Sequence, residues 1–242
     1  MINIYYFYNF VNNMILNSLF TNPMLFIAWL VAIIFALTIH EFFHAYVALK
    51  QGDPTAKLMG RLSLNPLVHI DVFGFISILL VGFGWAKPVP VNPLYFKNKK
   101  WGDAIVSVAG PLSNFISATI FIMFFVIGVK LNIINYDLLI NTINYFVGYG
   151  SVYNLGYYFL ISLIVINIAL GVFNLIPIPP LDGYHILFAV LPNSFNDVKV
   201  WLLKNGPTFL LIIILADSFL NIGVFSYLFN LIFNALGKLI LG

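Results

Sequence analysis

From Met24 to Leu49 the chain runs through apolar residues with a single formally charged side chain, Glu41. A helix needs about 20 apolar residues to cross the hydrocarbon core of a bilayer, so this run can span it with some tilt. Comparable runs follow at Ala104–Val129 and Tyr157–Ile176, and a C-terminal pair occupies about 207–240, broken near Asp217-Ser218. Of 242 residues, 62% are hydrophobic and 8% charged. Soluble domains carry roughly 25% charged residues, so an ordinary wetted surface is excluded. The expectation is an all-α polytopic membrane protein, one domain over residues 1–242, with about five to six transmembrane helices.

The stretches between the runs differ in kind. Residues 55–65, TAKLMGRLSLN, alternate polar and apolar side chains around Gly60, which predicts a short β-hairpin. Val72–Phe83 is apolar but too short for a comfortable crossing, and it is expected to dip and return. GWAKPVPVNP, residues 84–93, has prolines at 88, 90 and 93 and cannot be helical. It reads as extended or edge-strand chain. Residues 131–156, rich in Asn, Tyr and Gly, read as an external loop, and residues 1–21 as an interfacial segment or a poor first crossing.

Charge fixes an expected orientation. With the 70–85 segment re-entrant, ten of the eleven basic residues fall on one side and only Lys130 opposes them. Basic loops stay cytoplasmic, so that side is assigned to the cytoplasm. The net charge of +3 is small and its lysines lie at segment ends, which speaks for membrane topology and against nucleic-acid binding.

The first apolar run contains His40-Glu41-Phe42-Phe43-His44. Residues four apart share a helical face, with Cβ atoms about 6 Å apart, a spacing that lets two imidazoles grip one metal. A carboxylate beside them can take a proton from water on that metal. HExxH alone is a weak signal, but Glu41 is the only glutamate in the chain. An ionisable group at a membrane-helix centre costs about 2.5–3.5 kcal/mol on insertion scales, and its default reading is functional. A buried polar cluster that tightens helix packing is the plainer alternative. His44 precedes Lys50 by roughly 9 Å along the axis and His40 by about 15 Å, below the basic surface yet within reach of water.

A catalytic zinc takes three protein ligands and keeps one position open. With no cysteine present, the candidates are the aspartates, His69 and His185. The best is Asp182, in NLIPIPPLDG, where Pro177, Pro179 and Pro180 end the preceding helix and leave irregular backbone at membrane depth. Such backbone is tolerated only when protein or a watery cavity shields it. The same residues also make a plain Asp-Gly turn.

Together these motifs resemble the site-2 protease family of intramembrane zinc metalloproteases. HEFFH is similar to that family's HExxH helix, NLIPIPPLDG to its second motif, and Ala109-Gly110-Pro111-Leu112-Ser113-Asn114 to the start of the intervening helix; the likeness extends through GDPTAKLMGRLSLNP and GWAKPVPVNP, roughly residues 35–190. The resemblance implies Asp182 as third ligand beside His40 and His44, one Zn2+ per chain, and Glu41 as general base. It implies a three-helix catalytic core (about 24–190), a transmembrane protein or peptide as substrate, and a multi-pass protein of a prokaryotic cell membrane whose site opens to the cytoplasm. The chain looks like the compact subgroup without a PDZ or CBS domain.

Lower-ranked residues have two readings each. Asn174 could donate to a developing oxyanion or bridge two helices. Asn114 and Asn167 read as packing contacts, His69 as a structural residue at the interface, His185 as an outer support or surface group, and Asp217 as a cap or turn. Segments 55–65 and 84–93 could pair with an unwound substrate or merely line the cavity. The rival functions are a divalent-metal or proton-coupled transporter, for which the repeated halves of such proteins are missing, and an inactive structural membrane protein.

Overall fold

The computed structural model describes residues 19–20, 22–81, 84–135, 155–220, 222–223 and 227. Within them the architecture is helical: α1 (Pro23–Gln51), α2 (Thr55–Leu58), α3 (Val72–Val81), α4 (Gly102–Lys130), α5 (Leu155–Asn174), α6 (Gly183–Val190) and α7 (Asn196–Leu220). Four helices are long and apolar enough to cross a membrane, over Pro23–Lys50, Gly102–Lys130, Leu155–Asn174 and Asn193–Asp217. The expected interfacial N-terminal segment, most of the 131–156 loop and the second helix of the C-terminal pair lie outside the described residues.

Helices α1, α4 and α5 pack on one another pairwise and form the centre of the molecule. Helix α1 begins where Asn22 accepts the Leu25 N–H at 3.2 Å and Pro23 fills the first turn, and it ends at Gly52 in the left-handed conformation, φ 106°. Proline at the start and glycine just past the end suit their backbone preferences. Every fourth residue of α1 from Ala28 onward (Ala32, Ala36, His40, His44, Ala48) is buried. Lipid gives helices no hydrophobic reason to associate, so close approach through small residues does that work. The two histidines continue the alanine stripe. On α4, Leu112, Ile116, Ile120 and Ile127 face outward while Gly110, Asn114, Ala118 and Phe125 face in.

Between α1 and α4 the chain makes an out-and-back excursion. Ile70 and Ala86 form an antiparallel bridge, so the segment between them leaves and returns at one place. Helix α3 has 10 residues, about 15 Å of rise and half of a hydrocarbon core. Asp71 caps it by accepting the Gly74 N–H at 2.8 Å. The returning chain crosses α3 at Gly74, where a Cβ would run into the Trp85 carbonyl oxygen. The out-and-back path expected from the sequence is therefore present.

The expected hairpin at 55–65 is not. Residues 55–58 are helical instead, because Asp53 accepts hydrogen bonds from both the backbone N–H and the hydroxyl of Thr55 and starts a turn of helix. Among the described residues the one β-bridge lies further on, at Ile70 and Ala86. A second difference concerns where the last described helix begins. Helix α7 starts at Asn196, earlier than the expected 207, and ends at Leu220, close to the expected break near Asp217-Ser218, with Asp217 buried.

Candidate metal centre

The imidazoles of His40 and His44 meet edge to face, their ring centroids 4.5 Å apart. Four-residue spacing puts both on the buried stripe of α1, and their Nε2 atoms are 3.0 Å from each other. Each Nδ1 is engaged from behind. His44 Nδ1 lies 2.8 Å from the Val106 carbonyl oxygen. A carbonyl only accepts, so this nitrogen carries a proton, and in the neutral ring that a metal requires Nε2 keeps its lone pair.

His40 reaches the same state through a longer relay. Its Nδ1 lies 2.7 Å from Asn114 Oδ1. The Asn114 amide nitrogen donates to the Ala36 carbonyl at 3.1 Å and to Asn167 Oδ1 at 2.9 Å. Asn167 in turn donates to the Leu163 carbonyl at 2.7 Å. Two main-chain carbonyls at the ends of the relay fix which way both amides face, so Asn114 presents oxygen to His40. His40 Nδ1 must donate, and its Nε2 is left as a lone pair. Both asparagines are fully buried. The packing role read from the sequence thus understates Asn114, which sets a histidine tautomer. The available signal was its position four residues after Gly110, on the same face of α4.

Asp182 arrives from the other side. Turns with Ile178 N–H to Ile176 O at 2.8 Å and Leu181 N–H to Ile178 O at 3.0 Å fold the proline-rich chain after α5. Asp182 stands immediately before α6, and its Oδ2 lies 3.1 Å from His40 Nε2 and 3.3 Å from His44 Nε2. Gly183 acts by close approach: a Cβ there would strike the Leu175 carbonyl and sit 2.6 Å from the Ile176 carbonyl oxygen. Gly110 does the equivalent on α4, where a Cβ would collide with His44 Nε2 and come within 2.6 Å of His40 Cε1.

These three atoms form a group able to hold a metal ion. Ligands at about 2.0–2.1 Å around a tetrahedral zinc stand about 3.3 Å from one another, close to the three separations found. Asp182 Oδ2 is buried and receives no hydrogen bond. A buried carboxylate oxygen facing two nitrogen lone pairs is costly in isolation, and a cation among them removes that cost. The donor set, two neutral imidazoles and a carboxylate, suits zinc.

Glu41, also buried, accepts the Val89 N–H through Oε2 at 3.0 Å. Val89 belongs to the extended 84–93 chain, which is pinned along its length. Lys87 N–H bonds the His69 carbonyl at 2.8 Å, Arg61 donates to the Lys87 carbonyl at 2.6 Å, and Asn92 N–H bonds Asp53 at 2.7 Å. His69 is buried and its Nε2 faces the Ser63 carbonyl at 2.7 Å, away from the metal group. Asn174 turns its amide back to the Leu170 carbonyl of its own helix at 3.0 Å. His185 pairs with Asp103 at 3.0 Å. Tyr184 stacks on His185 with centroids 3.9 Å apart. Burial, then the nearby carboxylates of Asp103 and Asp182, push its phenol above the usual range.

Comparison with known proteins agrees with this geometry. The model of Peptidase family M50 matches residues 28–213. The chain is 44% identical to YwhC of Bacillus subtilis strain 168, which carries a provisional zinc-metalloprotease name, over 67% of this chain and 68% of that protein. It is 28% identical to zinc metalloprotease MJ0392 of Methanocaldococcus jannaschii over 75% of this chain, but spans only 40% of that longer protein. With Rip2 of Mycolicibacterium smegmatis, also provisionally named a zinc metalloprotease, it shares 32% identity over 63% of this chain and 52% of the relative. No solved structure matches. The chain thus belongs to peptidase family M50, the site-2 protease family of multi-pass membrane metalloproteases, and its His40, His44 and Asp182 form a group that fits a zinc ion.

Proposed function

We propose that this chain hydrolyses peptide bonds of transmembrane substrates, with His40, His44 and Asp182 holding the zinc and Glu41 serving as general base. The observation that carries this reading is the convergence of two lone-pair nitrogens and one unpartnered carboxylate oxygen within 3.0–3.3 Å of one another. A zinc held by these three residues would polarise the scissile carbonyl and acidify water near neutral pH. Glu41 would take a proton from the attacking water and give it to the leaving amine, and general acid–base help of this kind contributes about 10²–10⁴-fold. The Val89 N–H steadies the Glu41 carboxylate by a hydrogen bond from the extended chain.

Helical carbonyls are hydrogen-bonded and shielded, so the substrate must unwind before it is cut. The extended 84–93 segment beside Glu41 is a candidate surface for it. Its Lys87 and Val89 N–H groups are already engaged, and Pro88 and Pro90 have none. The Lys87 carbonyl already accepts from Arg61, so strand addition here would use chiefly the carbonyls of residues 88–90, with the substrate donating. Orientation is inferred from charge: Lys50 lies in the last turn of α1, beyond His44, and Lys97 bonds the Gln51 and Lys50 carbonyls there, with Lys99 and Lys100 following in sequence. Basic residues mark the cytoplasmic side, which supports a site that opens to the cytoplasm.

The test is the purified chain in vesicles with a labelled transmembrane peptide, wild type against Glu41→Gln. Cleavage by the wild type, lost in the variant while zinc stays bound, is the expected outcome. Zinc flux across the vesicles without proteolysis of any candidate peptide would instead favour a transporter.

A further inference from the structure

Helix α4 offers one stripe to the metal group. Residues 103, 106, 110 and 114, spaced three, four and four apart, fall on one helical face. Asn114 supports His40, the Val106 carbonyl supports His44, and Gly110 makes room for both rings. The stripe has one further member, Asp103, in the first turn of α4. Its Oδ2 lies 3.0 Å from His185 Nδ1. His185 belongs to α6, which packs against α4, and its backbone N–H donates to the Asp182 carbonyl at 3.1 Å. Among the described residues, Asp103–His185 is the one side-chain hydrogen bond that joins α6 to α4.

We propose that Asp103 and His185 are positioning residues for Asp182, completing on the carboxylate side what Asn114 and Val106 do for the imidazoles. Asp182 needs such help more than the histidines do. It stands on irregular chain after three prolines, and its placement depends on how α6 docks. The pair ties the first turn of α6 to the first turn of α4, the same helix that fixes both imidazoles. All three donor groups then take their positions from one helical face. The Tyr184 ring against His185 limits where the imidazole can swing. The inference rests on the proposed ligand set. Outer supports of metal ligands act on metal affinity as well as on rate.

The experiment measures the zinc dissociation constant of the full chain by competition with a chromophoric chelator, alongside the thermal midpoint of the metal-free protein. Asp103→Leu and His185→Phe should each weaken zinc binding about tenfold, the low end for outer supports of a metal ligand. The double variant should be no worse than either single one, since both break the same link. Asp103→Asn keeps an oxygen for the imidazole N–H and should stay near wild type. A merely structural pair would lower the metal-free midpoint and leave zinc affinity alone; that result, or additive losses in the double variant, overturns the proposal. Asp182→Ala is the control. If it does not reduce zinc affinity, the ligand set itself fails and the positioning role with it; if it does while Asp103→Leu changes nothing, only the positioning role fails.

Discussion

His40 and His44 ride on a 29-residue helix, are held from behind by groups buried between three packed helices, and have their tautomers fixed by main-chain carbonyls. Asp182 stands on a short bend between α5 and α6, with three prolines behind it, and reaches the same point just before α6, which packs against α4. The imidazole side is thus organised by the regular packing that makes the membrane core. The carboxylate side is organised by loop geometry and close backbone approach. Metal affinity should therefore respond to different kinds of substitution on the two sides, and this can be tested in order of expected size.

The largest effect separates chemistry from binding. Glu41→Gln should lower kcat by on the order of 10²–10⁴ with zinc stoichiometry unchanged, whereas His40→Ala or Asp182→Ala should lose both activity and metal. A paired measurement of cleavage and bound zinc decides this. If Glu41→Gln also sheds the metal, the division between base and ligands is wrong. Next come the two close-approach glycines. Gly183→Ala would push a methyl into the backbone of Leu175 and Ile176, and Gly110→Ala would push one into imidazole rings. Overpacking of this kind costs about 1–3 kcal/mol. Backbone yields less readily than a side chain, so Gly183→Ala should weaken zinc binding more; the reverse order would contradict the claim that the carboxylate side depends on backbone placement.

Asn114→Leu should free the His40 tautomer and weaken zinc binding by about 10–100-fold. Asn167→Leu acts one step further back and removes one interhelical hydrogen bond, worth about 0.6–1.7 kcal/mol in membranes. Equal losses from the two variants would mean that the relay acts as packing alone. The smallest effect is predicted for chelation. Stripping the metal should leave the helical circular dichroism unchanged, because α1, α4 and α5 pack through alanine, aromatic and aliphatic contacts that do not involve it. Loss of helicity on chelation would show that the imidazole side is not preorganised.

The three core helices were legible because long apolar runs leave the backbone few alternatives. The runs Met24–Leu49, Ala104–Val129 and Tyr157–Ile176 lie within two residues of the helix ends found. The short polar stretches were less legible. Alternation over 55–65 suggested a hairpin, but two hydrogen bonds from Thr55 to Asp53 favour a helical turn, and such local side-chain bonds leave no mark on periodicity. The start of α7 at Asn196 was hidden because its first turns carry Asp197, Lys199 and Lys204, which interrupt the apolar run that marks a membrane helix.

By itself the sequence determined the three long core helices, that the chain lies in a membrane, and that His40, Glu41 and His44 share one helical neighbourhood. Those are consequences of side-chain spacing along a single helix and of hydrophobic length, both local quantities. Only the tertiary structure decided that Asn114 faces His40, that the Val106 carbonyl meets His44, and that Asp182 comes within 3.3 Å of both imidazoles. Those meetings join positions separated by 62 to 142 residues, and they depend on how helices rotate and approach, which the spacing within any one of them does not specify.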